Sequence, residues 1–138
     1  SDALKILNKY MKIHFVSGDK RGFDISKKRV VDDMGFPLDL VSTSLRIDWI
    51  KQRFDPVNVV YMGDGIFDCL VMQSVGYSIS PSSADENAKR YANYVTHRAG
   101  AERAVSEACI HLMDKFFGGF LPNLSNPGKL QSLVGWAV

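Results

Sequence analysis

Residues 57–62, VNVVYM, form an apolar run held between Asp55-Pro56 and Gly63-Asp64-Gly65. A run this short, bounded by turn residues, reads as a strand covered on both faces, as strands are in a parallel sheet. Parallel strands need crossover connections, and the chain supplies them at regular spacing. Residues 2–11 carry Leu4, Leu7 and Tyr10 at helical spacing, and IHFV (13–16) follows as a strand. After a loop over 17–24, residues 25–36 form a helix stopped by Gly35 before Pro37. The pattern continues with a strand at 38–42, a helix at 44–54, the strand at 57–62 and a helix at 66–74. It closes with a strand at 75–80, a helix opened by the capping box Ser83–Glu86 and running to about Tyr91, a strand at 93–96 and a helix at 101–117. Such alternation predicts an α/β fold: a three-layer, Rossmann-like parallel sheet with helices on both faces.

The 138 residues suit one domain with a real core, and 46% apolar against 23% charged residues is a globular balance. A net charge of +2 without a polybasic run gives no argument for nucleic acid or an anionic membrane as partner. No apolar stretch approaches the roughly 18–20 residues of a membrane span, and the N-terminus does not read as a signal peptide. Cys69 and Cys109 sit in apolar, helix-like contexts, which suits free thiols in a reducing cytoplasm. The α/β domain is expected over 1–117. The tail 118–138, rich in Gly, Pro and Asn with an apolar end, reads as an irregular docking arm.

Ligands of open α/β sheets sit beyond the carboxyl ends of the strands. Ser17 and Gly18 fall there after the first strand. Asp64 follows the third, with Asp68 one helical turn on, and glycines at 63 and 65 allow close backbone approach. A hard divalent cation such as Mg²⁺ takes one or two carboxylates with phosphate and water. On the residues alone, Gly-Asp-Gly is equally a plain turn, and Asp68 an acid stabilised by a helix N-terminus. No G-x-G-x-x-G or P-loop appears, which sets a nucleotide-binding module low.

Together, VSGD (16–19), Arg46 and GDGIFD (63–68) resemble three motifs of the haloacid-dehalogenase-like (HAD) phosphatase superfamily. The 3-deoxy-manno-octulosonate 8-phosphate phosphatase group is the closer likeness, through GDGIFDCLVMQSVGYSIS and ANYVTHRAGAERAVSEAC, over about residues 3–115. The resemblance implies that Ser17 and the Gly18 amide hydrogen-bond the transferring phosphoryl group. Arg46 stands where the family has a phosphate-neutralising lysine; Asp64 would bind Mg²⁺ and Asp68 support the metal shell. Asp19 replaces a family arginine, and Lys20 and Arg21 are the candidates to supply substrate-binding charge instead. Arginine for lysine keeps the charge but changes its geometry. The turn Gly100-Ala101-Glu102-Arg103 is more crowded than the family's glycine-rich one.

The family also opens with a strand ending in Asp-x-Asp, carrying nucleophile and acid/base, and no Asp-x-Asp after an apolar run occurs in these 138 residues. The resemblance puts that strand at the centre of the sheet, between the strands at 13–16 and 57–62. Its omission would leave two neighbours about 10 Å apart with unpaired edges. The neighbours would then close up, another segment would fill the slot, or the chain is a piece of a longer one; the last is the expectation. SLVGWAV (132–138) is the one unassigned strand-like stretch. The functional expectation is a cytoplasmic, Mg²⁺-dependent phosphatase of a small sugar-acid phosphate, inactive as this chain alone, and homo-oligomeric by family likeness. The rival is a non-catalytic HAD-like domain binding a phosphorylated ligand or a protein partner. His14 and His111 are expected in packing or surface roles, Trp49 in the core, Lys27-Lys28-Arg29 on a solvated helix face, and His97 at the site rim.

Overall fold

A computed structural model of the chain describes residues 2–120. Of the expected arm 118–138, residues 121–138, SLVGWAV included, therefore lie outside the described residues. The predicted alternation is present, with shorter elements: α1 (Asp2–Leu7), β1 (Phe15–Ser17), α2 (Phe23–Lys27), β2 (Leu38–Leu40), α3 (Arg46–Arg53) and β3 (Val60–Met62). They are followed by α4 (Asp68–Met72), β4 (Tyr77–Ser80), α5 (Glu86–Tyr91), β5 (Tyr94–Val95) and α6 (Ala101–Phe116).

Several boundaries move for local reasons. Ser17 is the last residue of β1 rather than a loop residue, because its carbonyl accepts from the Val41 amide at 2.8 Å. The helix expected over 25–36 starts at Phe23 and widens into a π-helical stretch at Lys28–Asp33. Gly35, at φ +77°, ends it as predicted, since a residue with a β-carbon rarely takes that conformation. Residues 56–58 are a 3₁₀ turn rather than the start of a strand, capped by the Asp55 carboxylate on the Val57 amide, so Val57 is exposed. The cap of α5 is Asp85, which accepts from the Asn87 amide, and the predicted Ser83–Glu86 box is not used.

The larger difference is in the sheet. Among the described residues there are two parallel sheets, β1-β2 and β3-β4-β5, and β1 is not paired with β3. The layers are nevertheless those of one three-layer sandwich. Along β3 and β4, Val60, Met62, Tyr77 and Ile79 face a core built on α1, the π-helical stretch and α6. Tyr61 faces the opposite core, with Ile50 of α3, Val71 and Met72 of α4, and Ala88 of α5. This alternation is the period of a strand buried on both sides. Cys69 and Cys109 are both free thiols, and no described helix is long and apolar enough to cross a membrane.

Candidate functional site

The loops after β3, β4 and β5 open on one side of their parallel sheet, and Arg46, which lies against Gly18 and bonds Asp68, brings the turn after β1 to the same place. The best-determined group there is Asp68, at the start of α4 and only 4% exposed. Its Oδ2 accepts from the amides of Asp64 (3.0 Å) and Gly65 (2.9 Å). Its Oδ1 accepts from the Tyr61 hydroxyl at 2.5 Å and from Arg46 Nη1 at 3.2 Å. Both oxygens are thus committed to shaping the Gly63-Asp64-Gly65 loop, as a buried carboxylate must be paired. A β-carbon at Gly63 would lie 2.5 Å from Asp68 Cγ, so the loop can wrap this closely only with glycine there.

Arg46 is drawn into the same group. Its Nη1 also donates to Tyr61 Oη at 2.7 Å and its Nε to the Val41 carbonyl at 3.1 Å. One guanidinium therefore links the end of β2 to β3 and α4, across the gap between the two sheets. A β-carbon on Gly18 would be 3.3 Å from Arg46 Nη2, which places the guanidinium against the Ser17-Gly18 turn. The sequence reading missed Tyr61. A phenol within an apolar strand needs a hydrogen-bond partner, and that requirement was the available signal. Burial, reinforced by the bond to Asp68, pushes its pKa well above the ordinary phenol value, so it remains a donor.

Asp19 explains itself as a turn-former. Its carboxylate accepts from the Arg21 amide (2.9 Å), its own amide lies 3.3 Å from Ser17 Oγ, and the Gly22 position is tight against it. Lys20 and Arg21 are exposed on this turn, at the same end as Ser17 and Gly18. Asp64 is exposed too. It is a hard oxygen donor suited to Mg²⁺, but among the described residues no three metal-ligating side chains converge. The residues present thus supply one available carboxylate and a stapled loop, which is part of a cation site only.

Two further groups had no role in the sequence reading, although Glu107 lies in the Ala-Val-x-Glu stretch that carries part of the family resemblance. Glu107 of α6 accepts from the His97 amide (2.8 and 3.0 Å), the Arg98 amide (3.0 Å) and the Tyr94 hydroxyl (2.7 Å). Burial alone would raise its pKa, but those hydrogen bonds together outweigh it and hold the carboxyl below the ordinary carboxylate value. Thr96, 2% exposed, donates to the Arg98 carbonyl at 2.8 Å and accepts from the Ser82 amide at 3.2 Å. His97 sits at the rim as expected. His14 pairs with Asp39 and packs edge-on against Trp49, and His111 stacks on Tyr94 at 3.7 Å while hydrogen-bonding Tyr77. Lys27, Lys28 and Arg29 are exposed, as predicted.

Between the two sheets lies a cleft of about 490 Å³. Ile13, His14 and Val16 form one wall and Val59, Val60 and Tyr61 the other. Met11 closes it on the α1 side and Arg46, Trp49 and Ile50 on the α3 side. The neighbours of the expected central strand have not closed on each other. Their facing edges are separated by an apolar slot that ends at Arg46.

No family model matches the chain. Curated 3-deoxy-D-manno-octulosonate 8-phosphate phosphatases (KdsC) do match part of it. The protein of Salmonella typhi is 44% identical over 59 residues, which are 43% of this chain and 31% of the relative. That of Escherichia coli K12 is 43% identical over the same shares. The aligned stretch is thus about a third of the length of these relatives. Among solved structures, a probable phosphatase from Pseudomonas syringae pv. phaseolica superposes with TM-score 0.70 at 19% identity, over 96% of this chain and 73% of that one. The phosphatase of Moraxella catarrhalis, solved with magnesium, phosphate and KDO, gives TM-score 0.65 at 18% identity, over 82% of this chain and 68% of that one. The fold is that of HAD-like hydrolases, and the partial sequence match is to their 3-deoxy-D-manno-octulosonate 8-phosphate phosphatase group.

Proposed function

We propose that this chain is the greater part of a HAD-type phosphomonoester hydrolase acting on a small sugar-acid phosphate with Mg²⁺. The observation that carries the reading is Arg46: a largely buried cation bridging two sheet halves, against the Ser17-Gly18 turn and one residue network away from Asp64. Ser17 Oγ and the Gly18 amide would donate to phosphoryl oxygens, and Arg46 would offset the charge that builds on them. Asp64 would be this chain's contribution to the cation shell, which lowers the charge barrier to attack when the ion is bound. Asp68 would act on that shell only through the loop it holds. Lys20 and Arg21 would add positive charge at the entrance.

The attacking carboxylate would come from a segment outside these 138 residues, docked as an extended strand in the slot between β1 and β3. Such a strand would satisfy both edges, which have no strand partner among the described residues, and deliver its last residues beside Arg46 and Asp64. A second reading, a binding domain without turnover, is favoured by one observation: Arg46 and Asp68 satisfy each other without a ligand. The test is hydrolysis of a panel of phosphorylated sugars and sugar acids with Mg²⁺, by the full-length gene product and by 1–138 alone. Turnover by the former and none by the latter is expected. An inert full-length product would establish the binding reading, and robust turnover by 1–138 would mean that the nucleophile is among these residues.

A further inference from the structure

A guanidinium carries five N–H groups in a rigid fork, and Arg46 has three of them committed. Its Nε donates to the Val41 carbonyl at 3.1 Å, and its Nη1 donates to Tyr61 Oη at 2.7 Å and to Asp68 Oδ1 at 3.2 Å. Nη2 has no hydrogen-bond partner among the described residues, although the side chain is only 12% exposed. It is also the nitrogen that a β-carbon on Gly18 would approach, at 3.3 Å. The fork is therefore turned with its committed nitrogens on the sheets and α4, and its spare one on the Ser17-Gly18 turn.

Tyr61 decides that orientation. The shorter of the two Nη1 bonds is to its phenol, which in turn donates to Asp68 Oδ1 at 2.5 Å. The ring is buried on β3 in the core formed with Ile50, Val71 and Met72, so the hydroxyl cannot move to follow the arginine. Without the phenol, Nη1 would keep one bond of 3.2 Å. Rotation about Nε–Cζ, which exchanges Nη1 with Nη2, would then leave the Val41 bond intact and be opposed by little else.

We infer that Tyr61 is a positioning residue for phosphate binding: by holding Nη1, it makes Arg46 offer an anion on the Ser17-Gly18 turn one fixed nitrogen, Nη2, rather than a bidentate fork. This rests on the phosphate-site reading of Ser17, Gly18 and Arg46. It adds how an arginine takes the place of a compact ammonium there. A lysine would need no such partner, because its three N–H groups rotate freely.

The test is NMR of the Arg46 Nη resonances in the 138-residue chain, with inorganic phosphate as the probe, beside calorimetric phosphate binding. A held guanidinium should give separate Nη1 and Nη2 signals, and phosphate should shift the Nη2 signal more than the Nη1 signal. Tyr61→Phe should merge the two signals and weaken phosphate binding about fivefold to tenfold, the scale of one hydrogen bond to a charged group. In an Arg46→Lys background the same change should weaken it by less than about twofold, whereas a phenol with a merely structural role would cost both backgrounds alike. The wild-type spectra need no variant, so the test stands even where Tyr61→Phe fails to fold. A single averaged Nη signal in the wild type, a phosphate shift centred on Nη1, or equal losses in the two backgrounds would overturn the inference and leave the phosphate site standing. Failure of the wild type to bind phosphate, or binding indifferent to both Ser17→Ala and Arg46→Ala, would overturn the phosphate-site reading and this inference with it.

Discussion

Replacing Asp68 by asparagine tests the network that shapes the site. The side chain keeps its size, so the change is one of charge and donor pattern. In the protein four donors converge on the carboxylate: the amides of Asp64 and Gly65 on one oxygen, Tyr61 Oη and Arg46 Nη1 on the other. An asparagine NH₂ must face one of those two pairs, setting donor against donor. It also leaves the Arg46 charge, 12% exposed at its side chain, without a counter-ion. Breaking a buried pair in this way costs about 3–5 kcal/mol. For a chain of this size that corresponds to a fall in Tm of roughly 10–20 °C. Urea and thermal unfolding of Asp68→Asn beside wild type measure it, with Tyr61→Phe as the graded control. Losing the phenol removes one of the four donors and keeps the ion pair, so about 1–2 kcal/mol is expected there. If Asp68→Asn stays within about 1 kcal/mol of wild type, the carboxylate does not hold the loop, and the argument from its hydrogen bonds is wrong.

Millimolar Mg²⁺ should raise Tm through Asp64, by about 1.4 kcal/mol at ten times its Kd, and Asp64→Asn should remove the effect. A Tm indifferent to Mg²⁺ would count against a cation there. Phosphate or vanadate should slow hydrogen exchange in residues 17–22; unchanged exchange at saturating anion would place the anion elsewhere. The Glu107 carboxyl is held below its ordinary value of 4.5, so its contribution is complete above that pH and is lost as pH falls through the lower folded value. The amide shifts of His97 and Arg98, followed from pH 6 downwards, should report one transition below 4.5, and none in Glu107→Gln. Gly76→Ala would put a β-carbon 1.9 Å from the Val57 carbonyl oxygen, a backbone atom that cannot turn away. A loss of about 1–3 kcal/mol in urea unfolding is expected, and an unperturbed midpoint would contradict that close approach.

Period and punctuation made the layer architecture legible. The alternation of Val60, Tyr61 and Met62 between two cores and the stop at Gly35 both follow from local chemistry, which the sequence carries without help. That Ser17, Arg46 and Asp64 come to one end of the strands was legible for the same reason: parallel strands bring their carboxyl ends to one side. Strand ends were not, because they depend on partners. Ser17 belongs to β1 only because Val41 bonds to it, and Val57 is excluded from β3 by the Asp55 cap.

The roles within the site divide along the same line. That acids sit at 64 and 68 is a fact of sequence; that Asp64 is exposed and Asp68 is consumed by four hydrogen bonds is a fact of tertiary structure. Arg46 could be assigned a charge from its position, but not the span from Val41 to Asp68, since its partners lie 5, 15 and 22 residues away. Glu107 could not be joined to His97 and Arg98 at all, because the contact exists only once α6 has folded back along β5. Sequence by itself determined which elements form and which end of the strands gathers Ser17, Arg46, Asp64 and Asp68, through local propensity and the geometry of parallel strands. The tertiary structure alone decided which of those charges remain available and which are spent on holding the loops, because burial and long-range hydrogen bonding are set by segments that meet only in the folded chain.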